Sequence, residues 1–356
     1  MNKLEQKILV TGGCGFIGSH VCYTLLKNGF RVVCLDSNFN STPKVINQII
    51  SLLEVEGYDV SSNIEFLKGD IRDKIFLNSI FLKSKENLSP ISAVIHLAGL
   101  KSVSESLDQP LHYWDCNVGG SINLFQIMQE YNCKTIVFSS SATIYGLKDD
   151  SPIKENAVIQ PTNPYGYTKF SIEQILSTLY KKQNCLWKIA NLRYFNPIGC
   201  HPSGQFGEDP KDIPNNLFPL LLEVASGKRS ELKIFGNDWP TLDGTGVRDF
   251  IHVLDLAECH LEALIYLMKT KSKELISLNV GTGKGTSVME LIKTFERVNG
   301  FKIPFEICDR RNGDIPTSIA DNTLCKSRLG WSTKRTVDDM CRDGWKWKLN
   351  YPDGLG

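Results

Sequence analysis

Two residues four positions apart, Tyr165 and Lys169, have the types and the spacing that acid–base chemistry requires. They stand in PYGYTKF, residues 164–170, directly after Pro164. Because residues four apart share one helical face, the ammonium can sit beneath the phenol. A free tyrosine has a pKa of about 10 and is a poor base at neutral pH, but a nearby positive charge stabilises the phenolate. The pair predicts a general base with an electrostatic helper, although such pairs also occur on solvated helix surfaces.

Three consecutive serines stand upstream of this pair. They lie in FSSSATIYG, residues 138–146, where an apolar run ends and the chain should surface at a cleft. The hydroxyl of Ser141 can hydrogen-bond a substrate hydroxyl and bridge it to the phenolate of Tyr165. This context favours chemistry over a solvated surface for the tyrosine and lysine.

A glycine-rich turn, residues 11–20, provides a candidate dinucleotide site. In TGGCGFIGSH, Gly13, Gly15 and Gly18 match G-x-G-x-x-G between an apolar run and a helical stretch. In that context the glycines let backbone amides reach a pyrophosphate at the helix N-terminus. Asp36, at the end of the second run, can accept both hydroxyls of an adenosine ribose and repels a 2′-phosphate, so NAD is favoured over NADP. A glycine-rich turn without a ligand is the alternative.

Two further turns follow apolar runs on the edge where such sheets bind ligands. Asp70 and Ile71 would meet the adenine, and residues 98–101 the pyrophosphate and nicotinamide side. Both segments could equally be plain loop turns. A cationic nicotinamide would also help to stabilise the phenolate of Tyr165.

Short apolar runs alternate with amphipathic stretches over the first 199 residues, which predicts a doubly wound parallel α/β sheet of the Rossmann type. The runs are residues 7–11, 31–36, 64–69, 93–98, 135–139 and 188–194. Residues 45–63 read as an extra helix and loop inserted after the second strand. Residues 201–246 are rich in Gly, Pro, Asn and Asp, and further runs at 232–235 and 275–280 predict a second, smaller α/β domain.

We therefore expect an NAD-binding domain over residues 1–190, to which residues 236–262 return, and a substrate-binding domain over residues 191–356.

Composition excludes several classes of function. Lys plus Arg (40) nearly cancels Asp plus Glu (39), which argues against nucleic acid as a partner. Eleven cysteines without a CxxC pair and six histidines without metal spacing signal neither a disulfide framework nor a metal site. His96, inside an apolar run, reads as a core residue, and GTGKGTS, residues 281–287, departs from a phosphate-binding loop. We expect a reduced, cytoplasmic protein that is not membrane-bound.

The motifs together resemble the extended short-chain dehydrogenase/reductases and, among them, the UDP-glucose 4-epimerase family. The resemblance rests on TGGCGFIGSH, LDSNFNS, FSSSATIYG and YGYTK, and on the longer strings HLAGLKSVSESLDQPLHYWDCNV, RYFNPIGCHPSG, IPNNLFP, IFGNDWPTLDGTGVRDFIHVLDLA and RRNGDIPTSIAD. It covers nearly the whole chain, and residues 45–63 fall outside it.

The resemblance implies a cofactor site and a catalytic group. Tyr165 would be the base, with Lys169 on the NAD ribose and Ser141 supporting proton transfer at the sugar O4. The residues implied for NAD are Gly12, Gly15, Phe16, Ile17, Gly18, Asp36, Ser37, Asn40, Ser41, Asp70, Ile71, Leu97, Ala98, Gly99, Lys101, Cys116, Asn117, Ser139, Tyr165, Lys169 and Phe195. Most family members carry asparagine where Cys116 stands.

The resemblance also implies a site for a UDP-hexose. Its residues would be Lys101, Ser141, Thr143, Tyr165, Asn196, Asn216, Leu217, Lys233, Phe235, Arg248, Arg311, Asp314 and Ser318. Arg248 and Arg311 would bind the diphosphate, Asp314 the uridine ribose, and Phe235 would pack near the uracil. Without the family, each arginine reads as a surface residue and Asn196 as a turn former.

The implied reaction is reversible inversion at C4 of UDP-glucose and UDP-galactose through a transient 4-keto sugar and tightly bound NAD. Ser318 is small where the family limits room beside the sugar, so we expect some turnover of UDP-N-acetylglucosamine. The family also implies a homodimer. The alternatives are a related epimerase, a 4,6-dehydratase, which commonly carries Asp-Glu where Ala142 and Thr143 stand, and a non-catalytic NAD-sensing scaffold.

Overall fold

The computed structural model describes residues 6–148, 151–183, 185–211, 214, 216–311 and 313–356. Its largest element is a parallel sheet of seven strands, in the order β11-β6-β5-β4-β1-β2-β3. These strands are β1 (Lys7–Thr11), β2 (Arg31–Asp36), β3 (Ile64–Lys68), β4 (Ile91–His96), β5 (Thr135–Ser141), β6 (Lys188–Tyr194) and β11 (Glu274–Val280). The order reverses between β1 and β4, which confirms the doubly wound Rossmann-type fold.

Helices cover both faces of this sheet. The α-helices of the described residues are α1 (Phe16–Lys27), α2 (Lys44–Val55), α3 (Lys74–Glu86), α4 (Val103–Asp108), α5 (Pro110–Tyr113), α6 (Gly120–Glu130), α7 (Pro164–Lys181), α8 (Leu217–Ala225), α9 (Val253–Lys269), α10 (Val288–Asn299), α11 (Thr323–Leu329) and α12 (Val337–Asn350). A π-helical turn, Trp114–Gly119, leads into α6. Between β2 and β3 stand α2 and a 3-10 turn, Ser61–Asn63, which confirms the helix and loop predicted for residues 45–63.

The alternation of side chains along each strand divides the core between the two faces. Ile8 and Val10 of β1 pack with residues of α1, α2 and α9, whereas Leu9 packs with residues of α3, α6 and α7. The central strands β1, β4 and β5 are therefore buried on both faces of the sheet.

A smaller unit packs beside the large sheet. In it β7 (Asn196–Ile198) pairs with β10 (Phe250–His252), β8 (Leu232–Phe235) pairs with β13 (Phe305–Cys308), and β9 (Val247–Arg248) lies between β12 (Thr286–Ser287) and β14 (Thr317–Ser318). With α8, α10 and α12 these strands bury a third core cluster. Within the described ranges, no helix combines the length and the apolar character that a membrane span needs.

One apolar run lies elsewhere than the sequence indicated. The run 275–280, expected in the second domain, is part of β11, which pairs in register with β6 from Glu274 opposite Lys188 to Val280 opposite Tyr194. That placement was wrong because an apolar run predicts a strand but does not identify its neighbour. The domain boundaries themselves stay a prediction.

The glycine turn after β1 is closed too tightly for other residues. Gly12 has a φ of 71°, and a Cβ there would lie 2.7 Å from the backbone nitrogen of Ala98. A Cβ on Gly18 would lie 2.0 Å from the carbonyl oxygen of Gly12, whereas one on Gly15 would lie 3.4 Å from it. The turn thus presses α1 against the end of β1.

We expect Gly18→Ala to lower the free energy of unfolding by about 2 kcal/mol, because the added methyl must push the turn and α1 apart. Gly15→Ala is the matched control and should stay within about 1 kcal/mol of the wild type. Urea unfolding of both variants measures the difference. Equal stability of the two would contradict the close approach at Gly18.

Candidate active site

The three serines at the end of β5 have three different partners. The Nδ1–H of His260 donates to the carbonyl oxygen of Leu256 at 2.9 Å, so its Nε2 accepts from the Ser139 hydroxyl at 2.8 Å. The Ser140 hydroxyl donates to Glu173 at 2.5 Å. The Ser141 oxygen accepts from the backbone nitrogen of Thr143 at 3.2 Å and from its hydroxyl at 2.9 Å. The structure thereby fixes each hydroxyl separately.

Helix α7 places the predicted tyrosine and lysine beside this strand end. Asn163 caps the helix by accepting from the backbone nitrogen of Gly166 at 2.8 Å. Tyr165 and Lys169 are 6% and 4% exposed, so neither lies on a solvated surface. The Nζ of Lys169 donates to the carbonyl oxygen of Ser139 at 2.9 Å and lies 5.9 Å from the centroid of the Tyr165 ring.

Burial acts on the pKa of both groups. It raises the pKa of Tyr165 to about 12, although a hydrogen bond with Ser141 works in the opposite direction. It lowers the pKa of Lys169 to about 8. Desolvation of the phenolate is the larger of the two effects on Tyr165. The lowered tyrosine pKa expected from the sequence needs the cationic nicotinamide as well as the ammonium and stays a prediction.

Asp36, 8% exposed at the end of β2, is held by the turn after β1 and by the loop after β2. Its Oδ2 accepts from the backbone nitrogen of Cys14 at 2.9 Å, and its Oδ1 accepts from the Asn38 nitrogen at 2.9 Å and the Ser41 hydroxyl at 2.8 Å. The Oδ1 of Asn38 is buried beside it without a hydrogen-bond partner. A tight glycine turn and an unpaired buried acceptor next to an ordered carboxylate fit the adenosine half of NAD.

The other predicted cofactor residues collect on the loops that follow parallel strands and, after β1, on the first turn of α1. They are Gly12, Gly15, Phe16, Ile17 and Gly18 after β1, Ser37, Asn40 and Ser41 after β2, Asp70 and Ile71 after β3, and Leu97, Ala98, Gly99 and Lys101 after β4. Phe195, buried, follows β6. The Asp70 carboxylate is engaged by Arg72 at 2.7 Å, and Lys101 by Glu208 at 2.6 Å. The carboxyl edge of the sheet thus carries the predicted set.

Asn117 serves the protein's own loops. Its Oδ1 accepts from the backbone nitrogen of Leu100 at 2.7 Å, and its Nδ2 lies 3.1 Å from the Leu100 oxygen and 3.0 Å from the Thr168 hydroxyl. It therefore ties the loop after β4 to α7. Burial raises the pKa of the neighbouring Cys116 thiol, which keeps it protonated.

The predicted substrate residues gather around β9 and β14. Ser318 pairs with Arg248 in the strand register. Asp314 lies 3.9 Å from Arg248 and 3.1 Å from Arg311, so two cations share one acid. The guanidinium carbon of Arg311 lies 4.7 Å from the centroid of the Phe235 ring. This excess of positive charge beside an aromatic ring suits a nucleoside diphosphate.

Three further residues predicted for the substrate site are exposed to solvent. Lys233 is exposed on β8 between the buried Leu232 and Ile234. Asn216 is exposed as the N-cap residue of α8, and Asn196 is exposed in β7. Their roles stay predictions.

Sequence reasoning missed the buried polar residues behind the site. Glu173 lies eight residues after Tyr165 on the same buried face of α7, a signal visible in the helical period. Arg193 is a charged residue inside the apolar run of β6, which was a second signal. Nothing local marked His260. Among the residues described, no group of three or more His, Cys, Asp or Glu side chains is placed to hold a metal ion.

Comparisons with known proteins agree with this geometry. A profile of the GDP-mannose 4,6 dehydratase family matches residues 9–344. The UDP-glucose 4-epimerase of Bacillus subtilis (strain 168) is 47% identical over 347 residues, covering 98% of each chain. A UDP-glucose 4-epimerase structure from Stenotrophomonas maltophila, with bound NAD and formylated UDP-arabinopyranose, has a TM-score of 0.91 at 44% identity and covers 98% of this chain and 99% of that one. Another from Bifidobacterium longum, with NAD+ and UDP, has a TM-score of 0.90 at 40% identity, covering 98% and 100%.

The sheet, the glycine turn and the serine, tyrosine and lysine define a Rossmann-type protein of the extended short-chain dehydrogenase/reductase class. The chain belongs to the UDP-glucose 4-epimerase family within that class. The resemblance inferred from the motifs is confirmed.

The lowered pKa of Lys169 predicts a pH dependence of stability. Below pH 8 the folded and unfolded chains both hold the proton; between about 8 and 10.5 only the unfolded chain does, so the folded state gains stability as the pH rises. Relative to Lys169→Met, the wild type should gain on the order of 3 kcal/mol across this window. Urea unfolding at several pH values measures the gain.

Lys181→Met, at the exposed end of the same helix, is the control and should show no such gain. A constant difference between the wild type and Lys169→Met over this window would contradict the lowered pKa.

Proposed function

We propose that this chain interconverts UDP-glucose and UDP-galactose by inverting C4 of the hexose, with NAD as a resident cofactor. The observation that carries the proposal is the buried arrangement of Tyr165, Lys169 and Ser141 at the carboxyl edge of the sheet. That edge also bears Asp36 and the glycine turn. Family membership supports the same reaction.

Tyr165 removes the proton from the sugar O4 and later returns it. Ser141, whose side chain acts on the pKa of the phenol, would hold the O4 hydroxyl in line with it. Lys169 lies beneath the ring, and its ammonium compensates the phenolate as it forms. Bound NAD would supply the hydride-transfer chemistry at C4, and its positive charge would favour the phenolate of Tyr165. Because the net redox change is zero, the cofactor need not leave between turnovers.

The protein must hold the nucleotide firmly and the hexose loosely, so that either face of C4 can be presented. Arg248 supports the firm grip: its Nη1 donates to the carbonyl oxygens of Val247 and Ile315 at 2.9 Å, which fixes the guanidinium. Burial lowers the pKa of Arg248, although the guanidinium remains charged at neutral pH. Ser318, which stands opposite Arg248 in the strand register, would leave room on the hexose side because its side chain is small.

A 4,6-dehydratase is the nearest alternative, and the family profile carries the name of one. Expelling water from C5 and C6 needs a further acid–base pair beside the active-site hydroxyl. Here Ala142 and Thr143 follow Ser141, and the Thr143 hydroxyl donates its hydrogen bond to Ser141. This favours epimerisation.

We also propose the finer features of the assembly. Apolar side chains on α4, α5, α6 and α7 are exposed, including Leu107 (61%), Leu111 (81%) and Tyr167 (47%), and would form the contact of a homodimer.

The eleven free thiols, all within the described ranges, favour the cytoplasm. UDP-hexose would bind between the cofactor domain, residues 1–190 with 236–262, and residues 191–356.

The deciding experiment is to incubate the purified protein with UDP-galactose, without added NAD, and to measure UDP-glucose. We expect turnover, and Tyr165→Phe should lose it by about 10²- to 10⁴-fold while retaining NAD, because the base is removed without a change of shape. Tyr167→Phe, on the exposed face of the same helix, is the control and should keep its activity. Absence of turnover, or full activity of Tyr165→Phe, would refute the proposal.

Ser318 should set which hexoses are accepted. We expect the wild type to turn over UDP-N-acetylglucosamine as well, and Ser318→Tyr to lose that activity at least about tenfold while keeping UDP-galactose turnover, because the ring fills the room for an acetamido group. Ser318→Ala should keep both activities. A wild type that converts UDP-galactose but not UDP-N-acetylglucosamine would show the prediction to be wrong.

A further inference from the structure

The buried face of α7 carries a carboxylate that the mechanism leaves without a role. Glu173 is 4% exposed and follows Lys169 by four residues on the same helical face. Its two carboxylate oxygens accept from Arg193, Nε to Oε1 at 3.0 Å and Nη2 to Oε2 at 2.6 Å. Arg193 is itself 5% exposed in β6. This bidentate pair joins the helix of the catalytic side chains to the sheet.

The same pair holds the chain on both sides of Ser141. Before it, the hydroxyl of Ser140 donates to Oε1 of Glu173 at 2.5 Å. After it, Nη1 of Arg193 donates at 3.0 Å to the hydroxyl of Tyr145, which ends the 3-10 turn Ala142–Tyr145. Glu173 and Arg193 thus hold the end of β5 from two directions, and we call these two residues with Ser140 and Tyr145 the clamp.

The clamp extends to the edge of the sheet. The Tyr145 hydroxyl donates to Oδ1 of Asn279 in β11 at 2.7 Å, and Nδ2 of Asn279 donates to the Ile153 oxygen at 2.8 Å. Arg193 also donates to the carbonyl oxygen of Glu155 at 3.0 Å. All three guanidinium nitrogens of Arg193 therefore donate, in four hydrogen bonds, which gives the pair one defined geometry.

Stability alone is a poor explanation for such a pair. Taking two charges out of water costs several kcal/mol per ion, and well-packed apolar residues often replace a buried pair without loss of stability. An apolar replacement cannot fix the orientation of α7. Two parallel hydrogen bonds, in contrast, fix both the distance and the rotation of α7 relative to β6. An error of about 1 Å between reacting groups can cost about 10²-fold in rate.

We propose that the Glu173–Arg193 pair positions the catalytic side chains of α7 against the end of β5. The pair touches neither the substrate nor the reacting atoms, so both are positioning residues. This inference rests on the proposed function, since it assigns the pair a part in the same reaction. It requires that loosening the pair moves Tyr165 away from Ser141 while the nucleotide site stays intact.

The test compares Glu173→Gln with a control that breaks another ion pair with a buried carboxylate. Asp255, fully buried on α9 and bound to Arg335, is remote from α7, and Asp255→Asn should lower the melting temperature while leaving kcat within about twofold. Glu173→Gln should lower kcat about 10- to 100-fold with KM for UDP-galactose and bound NAD unchanged within about twofold.

The pKa of Tyr165 provides a readout that does not depend on turnover. Tyrosinate absorbance of each NAD-loaded protein, minus that of its Tyr165→Phe counterpart, reports this pKa alone. Glu173→Gln should raise it, because the lowering effect of Ser141 is weakened and the Lys169 ammonium, 5.9 Å from the ring centroid in the wild type, moves away from the phenol. Asp255→Asn should leave it unchanged.

Ser140→Ala is the milder variant, to be used if Glu173→Gln does not fold. It removes one hydrogen bond of the clamp, and we expect kcat to fall about three- to tenfold with a raised Tyr165 pKa. Wild-type kcat and an unchanged Tyr165 pKa in the folded variants would overturn the positioning role. If the wild type itself fails to convert UDP-galactose, the proposed function is lost, and the Tyr165 pKa of the variants still decides the inference.

Discussion

An ammonium kept out of water beside a phenol is the interaction on which the site depends. Burial makes each charged form costly by itself: it lowers the pKa of Lys169 to about 8 and raises that of Tyr165 to about 12. When the phenol loses its proton, the two charges compensate each other, so the same burial strengthens their attraction. The site is therefore unfavourable for either ion alone and favourable for the pair.

Such a pair needs a rigid surround, and the parallel sheet provides it. The end of β5 offers a carbonyl oxygen to Lys169 and a hydroxyl to Tyr165. Asn117 ties α7 to the loop after β4, and Glu173 ties it to the sheet. Because all seven strands point the same way, the dinucleotide loops and the acid–base group meet at one edge.

Features encoded by local spacing could be predicted from the sequence. The four-residue interval of Tyr165 and Lys169, the glycine turn and the position of Asp36 at a strand end each determine a local arrangement by sequence spacing alone. The structure brings all three to the same edge of the sheet. Features set by long-range contacts could not be predicted. The pairing of β11 with β6, the link between Arg193 and Glu173, and the direction of the tyrosine pKa shift depend on which residues become neighbours and on how much water is excluded.

The most direct measurement is the pKa of Tyr165 by NMR of tyrosine labelled with ¹³C at Cζ, before and after NAD is added, with Tyr165→Phe to assign the signal. We expect a value near 12 for the protein alone and a fall of several pH units toward neutrality with NAD. A pKa that stays near 12 in the NAD complex would contradict the role of Tyr165 as the base.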